Sequence, residues 1–173
     1  MENHEIYIIV AVGKNNGIGK EGKLPWHFKK EIKYFKEITT ETENQEKQNM
    51  VIMGRNTWES IKPKYRPLKD RKNIVLTRNP QYKAEGAETA ESLEEAVKMA
   101  DEKIEKMFII GGEMVFNKSI NDPDLTGIYL TRIKKEYECD TYFPKIPERF
   151  NKIKRLGMDK ENGVKFEYFL YKK

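Results

Sequence analysis

One acidic residue lies where the sequence predicts an apolar helix face. Apolar residues recur at the spacing of a single helical stripe, with lysines on the opposite side: Phe28, Ile32, Phe35 and Ile38. At about 100° per residue, Glu31 falls inside that stripe. Burial raises the pKa of a carboxyl group, and a carboxyl with a pKa near neutrality can donate a proton. Glu31 is therefore a candidate acid; the structural alternative places it at the stripe's edge, reaching water or a lysine.

The composition is that of a soluble globular protein. With 38% hydrophobic and 35% charged residues among 173, the chain is long enough for a substantial core, and we expect one domain over residues 1–173. The longest apolar run, Ile6–Val12, is far too short to cross a bilayer, and the polar start Met1–Glu5 does not resemble a signal peptide. The sequence predicts a cytoplasmic protein that does not cross a membrane.

Cysteine, histidine and net charge exclude several classes of site. One cysteine, Cys139, allows no internal disulfide, and two histidines give no Cys/His metal cluster, so we expect no metal site. The net charge is +5, but 33 basic residues are interspersed with 28 acidic ones and form no dense basic block. We therefore expect no nucleic-acid partner, although a positive field would attract an anionic small molecule.

The order of apolar runs predicts an α/β fold. Short continuous runs typical of strands buried on both faces alternate with helical patterns: Ile6–Val12, Met50–Met53, Asn73–Thr77 and Met107–Ile110. Three later strand-like segments have no helices between them: Ile128–Ile133, Phe150–Leu156 and Val164–Tyr171. We predict a mostly parallel sheet with an antiparallel C-terminal hairpin and helices on both faces.

Two polar segments are predicted to be loops. Gly13–Lys23 contains four glycines between a central strand and the Glu31 helix, which indicates a mobile loop that could act as a lid. Thr39–Asn49 is wholly polar and is predicted to be a surface excursion without a function.

Two glycine turns join a strand to a helix. One follows Met53 at Gly54, and the other is Gly111-Gly112. A helix N-terminus offers free N–H groups and a positive dipole end, and glycines let the backbone approach a ligand closely. Each turn alone is a weak signal. Together they suggest a dinucleotide lying across the ends of neighbouring strands.

A larger set of motifs points to one family. In order and spacing these are Ile9-Val10-Ala11-Val12, Gly17-Ile18-Gly19-Lys20, Leu24-Pro25-Trp26, Glu31 with Phe35, Val51 to Ile61, Arg66-Pro67-Leu68 with Arg71, Ile110-Gly111-Gly112, and Thr131-Arg132 followed by Asp140 to Pro144. The set resembles dihydrofolate reductase over essentially the whole chain.

The resemblance implies reduction of 7,8-dihydrofolate to tetrahydrofolate by NADPH, with hydride transfer to the pterin and protonation of its N5. Glu31 matches the family's buried acid, which binds the pterin and favours that protonation. In similar enzymes Thr131 hydrogen-bonds this acid and Trp26 helps to hold a water. These three are the catalytic residues that the resemblance implies.

The resemblance also implies the binding residues. Apolar walls around the substrate come from Ile9, Val10, Ala11, Leu24, Ile32, Phe35, Ile61, Leu68 and Ile110, each of which is ordinary core on the structural interpretation. Arg71 is implied to bind the carboxylate of the substrate's glutamate tail. The cofactor residues are Ala11, Ile18, Gly54, Arg55, Asn56, Thr57, Leu76, Thr77, Arg78, Gly111, Gly112, Glu113, Met114, Val115 and Phe116. A cis peptide between Gly111 and Gly112 is implied as well, as are a monomer and antifolate inhibitors.

Two residues depart from the family pattern. Phe116 replaces a common tyrosine and loses its hydroxyl group, and Glu91 stands where some members place a phosphate-binding arginine. NADPH preference would then depend on Arg55 and Arg78.

Three alternatives stay open at this point. A pyrimidine reductase of riboflavin synthesis shares the fold and cofactor but is not expected to need Trp26, Glu31 and Arg71 together. A basic RNA- or DNA-binding module predicts salt-sensitive affinity and no turnover. An inactive homologue would bind folate without reducing it.

Overall fold

A computed structural model describes residues 3–173. Within them lie ten strands and four α-helices. The strands are β1 (Glu5–Val12), β2 (Gly17–Gly19), β3 (Gln48–Gly54), β4 (Arg71–Leu76), β5 (Glu88–Ala90), β6 (Ile104–Ile109), β7 (Leu125–Ile133), β8 (Thr141–Tyr142), β9 (Lys152–Glu161) and β10 (Val164–Lys172). The helices are α1 (Lys29–Thr40), α2 (Arg55–Ser60), α3 (Leu93–Lys98) and α4 (Glu113–Ser119), and a short 3₁₀ turn spans Pro63–Tyr65.

Eight of the described strands form one sheet in the order β5-β4-β3-β6-β1-β7-β10-β9. The pairs from β5 to β7 are parallel, whereas β10 runs antiparallel to both β7 and β9. The predicted fold class, a mostly parallel sheet closed by an antiparallel C-terminal hairpin, is confirmed.

Alternating side chains of the central strands supply both faces of the sheet, as a period of two requires. On one face, Ile8 of β1 belongs to a core cluster that includes Ala96 of α3 and Phe116 of α4. On the other face, Ile9 belongs to a cluster with Trp58 of α2 and Phe35 of α1. Helices therefore cover both faces, as the continuous apolar runs predict.

The prediction for Thr39–Asn49 is wrong at both ends of the segment. Thr39 ends the buried face of α1, Asn49 lies in β3, and both are fully buried. Asn49 Nδ2 donates to the carbonyls of Thr39 and Glu41 at 3.0 and 2.9 Å, and its Oδ1 accepts from Lys106 N at 3.1 Å. These hydrogen bonds satisfy a polar side chain that would otherwise be costly to bury.

The glycine-rich segment 13–23 contains structure that the sequence pattern does not reveal. Its strand β2 pairs with β8, a strand too short for a pattern to predict. Arg132 Nη1 donates to Asn16 Oδ1 at 2.7 Å, and Asp140 accepts from the backbone N–H of Glu21 at 2.9 Å. Hydrogen bonds with residues 132–142 therefore hold this segment beside the carboxyl end of β1.

None of the helices between residues 3 and 173 has the length and apolar character needed to cross a membrane.

Candidate active site

The parallel strands bring three predicted cofactor segments to one edge of the sheet. Because β4, β3, β6 and β1 run in the same direction, their carboxyl ends lie side by side. Gly54 at the end of β3 is in register with Leu76 at the end of β4, and Ile52 is in register with Ile109 of β6. The segments 76–78, 54–57 and 111–116 therefore follow neighbouring strands, as the prediction of a dinucleotide site requires.

The two glycine turns are in direct contact. Gly54 N donates to Gly111 O at 2.8 Å, and the Gly111-Gly112 peptide is cis, which confirms that expectation. Gly111 has φ +125°, and a Cβ built there would lie 3.4 Å from the Phe116 ring; one on Gly112 would lie 3.3 Å from Thr57 Oγ1. Glycine thus keeps this backbone open to close approach, which fits the pyrophosphate part of a dinucleotide.

The two arginines predicted to select NADPH differ in their surroundings. Arg55 Nε donates to Glu59 Oε1 at 2.9 Å, and its guanidinium lies 4.3 Å from the centre of the Tyr82 ring. Arg78 is exposed directly after β4, beside Thr77, whose N–H donates to Ala90 O at 2.9 Å. Arg55 is therefore partly neutralised by a carboxylate, whereas Arg78 projects from the strand-end edge without an ion pair to any described residue.

The other predicted cofactor residues lie along the same edge. Asn56 is exposed at the start of α2, and Ile18 of β2 packs against the core beside Phe116. On α4, Met114 is 70% exposed. Val115 Cγ2 would lie 3.2 Å from a Cβ built on Gly54. Glu113, by contrast, already has a hydrogen-bond partner in the protein. Its Oε2 accepts from the backbone N–H of Tyr142 at 2.6 Å, which joins α4 to β8.

Glu31 lies near Tyr34 and Tyr168, since its charge acts on both of these tyrosines. Ala11, Thr131 and Tyr168 occupy paired register positions on β1, β7 and β10, so they share the face that α1 covers. Tyr168 and the partly buried Ala11 belong to the same apolar cluster as Trp26 and Tyr34.

Burial raises the pKa of Glu31 to about 7. Desolvation is the cause, because the carboxylate makes no hydrogen bond or ion pair with another residue in the described part of the chain. The predicted contact between Glu31 and the buried Thr131 is thus not formed as a direct hydrogen bond in this structure. A carboxyl with this pKa is partly protonated at neutral pH, as a proton donor needs to be.

The Trp26 indole belongs to the apolar cluster that also contains Tyr34 and Tyr168. It is buried, its ring centre lies 5.2 Å from that of Tyr137, and its Nε1–H has no acceptor among residues 3–173. Buried donors in proteins are normally satisfied by protein, water or ligand, so this N–H is available to a molecule in the site.

The predicted apolar walls lie mainly on the α1 side of the sheet. Five of them share one cluster there: Ile9, Phe35, Ile61, Leu68 and Ile110. Leu24 and Ile32 are 61% and 45% exposed, and such large exposed apolar side chains often line a ligand groove. The Val10 side chain instead packs in the core on the opposite face, so only its backbone lies toward the α1 side.

Arg71, the first residue of β4, is held by two hydrogen bonds. Its Nε donates to Lys69 O at 2.8 Å and its Nη1 to Thr39 Oγ1 at 2.9 Å. These bonds fix the plane of the guanidinium, which suits two-point recognition of a carboxylate.

Tyr34, Tyr168 and Thr39 are neighbours of the site that were not predicted from the sequence. Tyr34 stacks on Tyr168 with ring centres 3.7 Å apart, beneath the helix that carries Glu31. The helical spacing could have indicated Tyr34, because a residue three positions after Glu31 lies on the same helix face.

Within residues 3–173, no group of three or more His, Cys, Asp or Glu side chains is arranged to hold a metal ion.

Known proteins match both the sequence and the fold. The family model described as dihydrofolate reductase matches residues 5–173. Dihydrofolate reductase from Sus scrofa is 42% identical over 178 residues, covering 95% of this chain and 96% of the pig protein. The Drosophila melanogaster enzyme is 40% identical over 175 residues, covering 96% of each. The structure of Schistosoma mansoni dihydrofolate reductase matches with a TM-score of 0.83, at 35% identity and 99% coverage of both chains. The chain therefore belongs to the dihydrofolate reductase family, oxidoreductases that reduce dihydrofolate to tetrahydrofolate with a nicotinamide cofactor.

Proposed function

We propose that this chain reduces 7,8-dihydrofolate to 5,6,7,8-tetrahydrofolate with NADPH, and that Glu31 manages the proton that the reaction consumes. The balance is one hydride added at pterin C6 and one proton added at N5. When bound, NADPH supplies the hydride, so the protein has to align two flat rings and deliver one proton.

The observation that carries the proposal is the environment of Glu31. Its pKa of about 7 comes from desolvation by burial, so the carboxyl holds a proton through part of the neutral range. A single acid suffices because one proton moves. Trp26, with its buried Nε1–H, is suited to orient a water or substrate atom between Glu31 and N5.

The substrate is proposed to lie along the α1 face. Leu24 and Ile32 would cover the pterin and its benzoyl ring, and both are apolar side chains that remain exposed in this structure. At the other end, Arg71 would bind the carboxylate of the glutamate tail through the guanidinium that Thr39 orients.

The proposed cofactor site is the carboxyl edge of the sheet. The backbone of Gly54, Gly111 and Gly112 would lie against the pyrophosphate, because a side chain at these positions would fill that space. Arg78, aided by Arg55, would bind the 2′-phosphate, which favours NADPH over NADH.

The direct test is NADPH oxidation with dihydrofolate as the acceptor, comparing the wild type with Glu31→Gln over a pH series. We expect the wild type to turn over and the variant to lose most of its rate at neutral pH. The variant should recover as the pH falls, because the substrate then arrives already protonated. Equal rates for the two proteins at every pH would show that Glu31 does not manage the proton.

A further inference from the structure

The first turn of α1 is capped by a residue from the other end of the chain. Glu161, the last residue of β9, accepts hydrogen bonds from the backbone N–H of Lys29 at 2.9 Å and of Lys30 at 3.0 Å. The first N–H groups of a helix have no partner within the helix, and Phe28, which precedes α1, carries no acceptor on its side chain. Glu161 therefore supplies both the acceptors and the negative charge that a helix N-terminus favours.

The cap is ionised and is reinforced by its neighbour. The two amide hydrogen bonds, the one from Lys30 first, hold the pKa of the Glu161 carboxyl below its usual value. Lys30 Nζ donates in return to Lys160 O at 3.1 Å. The tip of the β9–β10 hairpin is thus hydrogen-bonded to Lys29 and Lys30, the two residues that directly precede Glu31.

The same hairpin contacts α1 a second time, one turn further on. The Tyr34 ring stacks on Tyr168 of β10 at 3.7 Å and 19°, and the Tyr168 hydroxyl donates to Asp159 Oδ2 at 2.7 Å. Glu31 lies between these two contacts. The hairpin therefore fixes α1 on both sides of the acid.

We propose that Glu161 is a positioning residue for proton delivery, an inference that rests on the role of Glu31 proposed above. By capping Lys29 and Lys30, Glu161 fixes the start of α1 and so holds the Glu31 carboxyl in place near Tyr168. The hairpin has its own support, since β9 and β10 pair from Lys152 to Glu161 with one register shift between Tyr168 and Phe169. Loss of Glu161 should loosen the first turn of α1 and leave the sheet intact.

A double-mutant cycle separates positioning from general stability. NADPH oxidation is measured over a pH series for the wild type, Glu161→Ala, Glu31→Gln and the double variant. Because small displacements of a reacting group are costly, we expect Glu161→Ala to lower kcat about tenfold at neutral pH. The loss should shrink as the pH falls, and Glu161→Ala should have no further effect in the Glu31→Gln background.

A matched control lies on the same hairpin. Glu167 bonds to Arg155 at 2.7 Å and to Lys134 at 3.1 Å, so Glu167→Ala removes an equal charge and should leave kcat unchanged. Glu161→Gln keeps one acceptor oxygen, so its kcat should lie between those of the wild type and Glu161→Ala. If Glu161→Ala does not fold, the same measurements are made on Glu161→Gln. Because His27 also acts electrostatically on Glu161, the pH series is repeated with His27→Gln to separate its contribution.

A second readout is independent of turnover. Hydrogen exchange at the amides of Lys29 and Lys30 should be faster in Glu161→Ala and unchanged in Glu167→Ala. The inference is overturned if Glu161→Ala leaves kcat unchanged, or lowers it by the same factor with and without Glu31→Gln. If Glu31→Gln alone matches the wild type, the role of Glu31 fails, and the positioning role fails with it.

Discussion

Arg71 Nη1 donates a 2.9 Å hydrogen bond to Thr39 Oγ1, which joins the start of β4 to the last turn of α1 across 32 residues. The Thr39 hydroxyl donates in turn to Phe35 O at 2.8 Å, so its oxygen is oriented to accept from the guanidinium. The helix that carries Glu31 at its beginning therefore also orients the candidate carboxylate-binding arginine at its end.

Replacing Thr39 with valine should weaken substrate binding more than chemistry. Valine keeps the shape of threonine but removes the acceptor, so Arg71 loses one of the bonds that fix its plane. The loss of one hydrogen bond to a charged group corresponds to about 1.5–3 kcal/mol, and we expect KM for dihydrofolate to rise about tenfold with kcat nearly unchanged. Steady-state kinetics on Thr39→Val checks this.

Two comparisons make the Thr39 result specific. Arg71→Lys, which replaces the planar guanidinium with an ammonium group, should raise KM for dihydrofolate at least as much. A dihydropterin substrate without the glutamate tail should show equal KM values with the wild type and Thr39→Val. If the variant were equally impaired with both substrates, the effect would come from α1 and not from carboxylate recognition.

The Gly111 position should not tolerate a side chain. Its φ of +125° is one that L-residues rarely adopt, and a Cβ would lie 3.4 Å from the Phe116 ring. We expect Gly111→Ala to lower the free energy of unfolding by about 1–3 kcal/mol and to weaken NADPH binding. Denaturant titration and cofactor fluorescence titration measure the two effects.

Gly163→Ala is the matched control for Gly111→Ala. Gly163 also has positive φ, +77°, but no heavy atom lies within 4 Å of its Cβ position. Its replacement should cost about 1 kcal/mol of stability through backbone strain and leave NADPH binding unchanged. A loss of cofactor binding equal to that of Gly111→Ala would contradict the proposed close approach at Gly111.

Much of the fold could be predicted because the central strands are apolar on both faces. The runs at Ile6–Val12 and Met50–Met53 fall inside β1 and β3. Local composition determines such elements, so a pattern in the chain is enough to find them.

The remaining features depend on partners that are distant in sequence. Asn49 is polar, and its burial becomes reasonable only once Lys106 and Thr39 are known to lie beside it. The edge strand β9 extends to Glu161, well past the predicted Leu156, because an exposed and charged strand has no apolar period to reveal it. Of the candidate site, motif spacing could place Glu31 and the glycine turns, but not the contacts of Tyr34 with Tyr168 or of Glu161 with α1.

Cofactor preference should depend more on Arg78 than on Arg55. Arg55 already bonds to Glu59 at 2.9 Å, which offsets part of its charge, whereas Arg78 is exposed at the strand-end edge. We expect Arg78→Ala to lower the ratio of kcat/KM for NADPH to that for NADH about tenfold, and Arg55→Ala to lower it less. The NADH values serve as the internal control and should change little. A larger effect of Arg55→Ala would contradict this assignment.

The raised pKa of Glu31 should also appear in the stability of the protein. An ordinary glutamate has a pKa near 4.5, whereas burial raises that of Glu31 to about 7, so the folded state retains a proton that the unfolded state releases between these values. The stability that this group contributes is complete below pH 4.5 and is lost as the pH rises towards 7.

Glu31→Gln, which stays neutral, should therefore unfold with a higher free energy than the wild type at neutral pH. The difference should grow from near zero at pH 4.5 to at most about 3 kcal/mol above pH 7. Denaturant titrations across this range measure it, with Glu37→Gln, an exposed change on the same helix, expected to give no such trend. A difference that does not vary with pH would mean that Glu31 ionises normally, and any rate loss in Glu31→Gln would then need another cause.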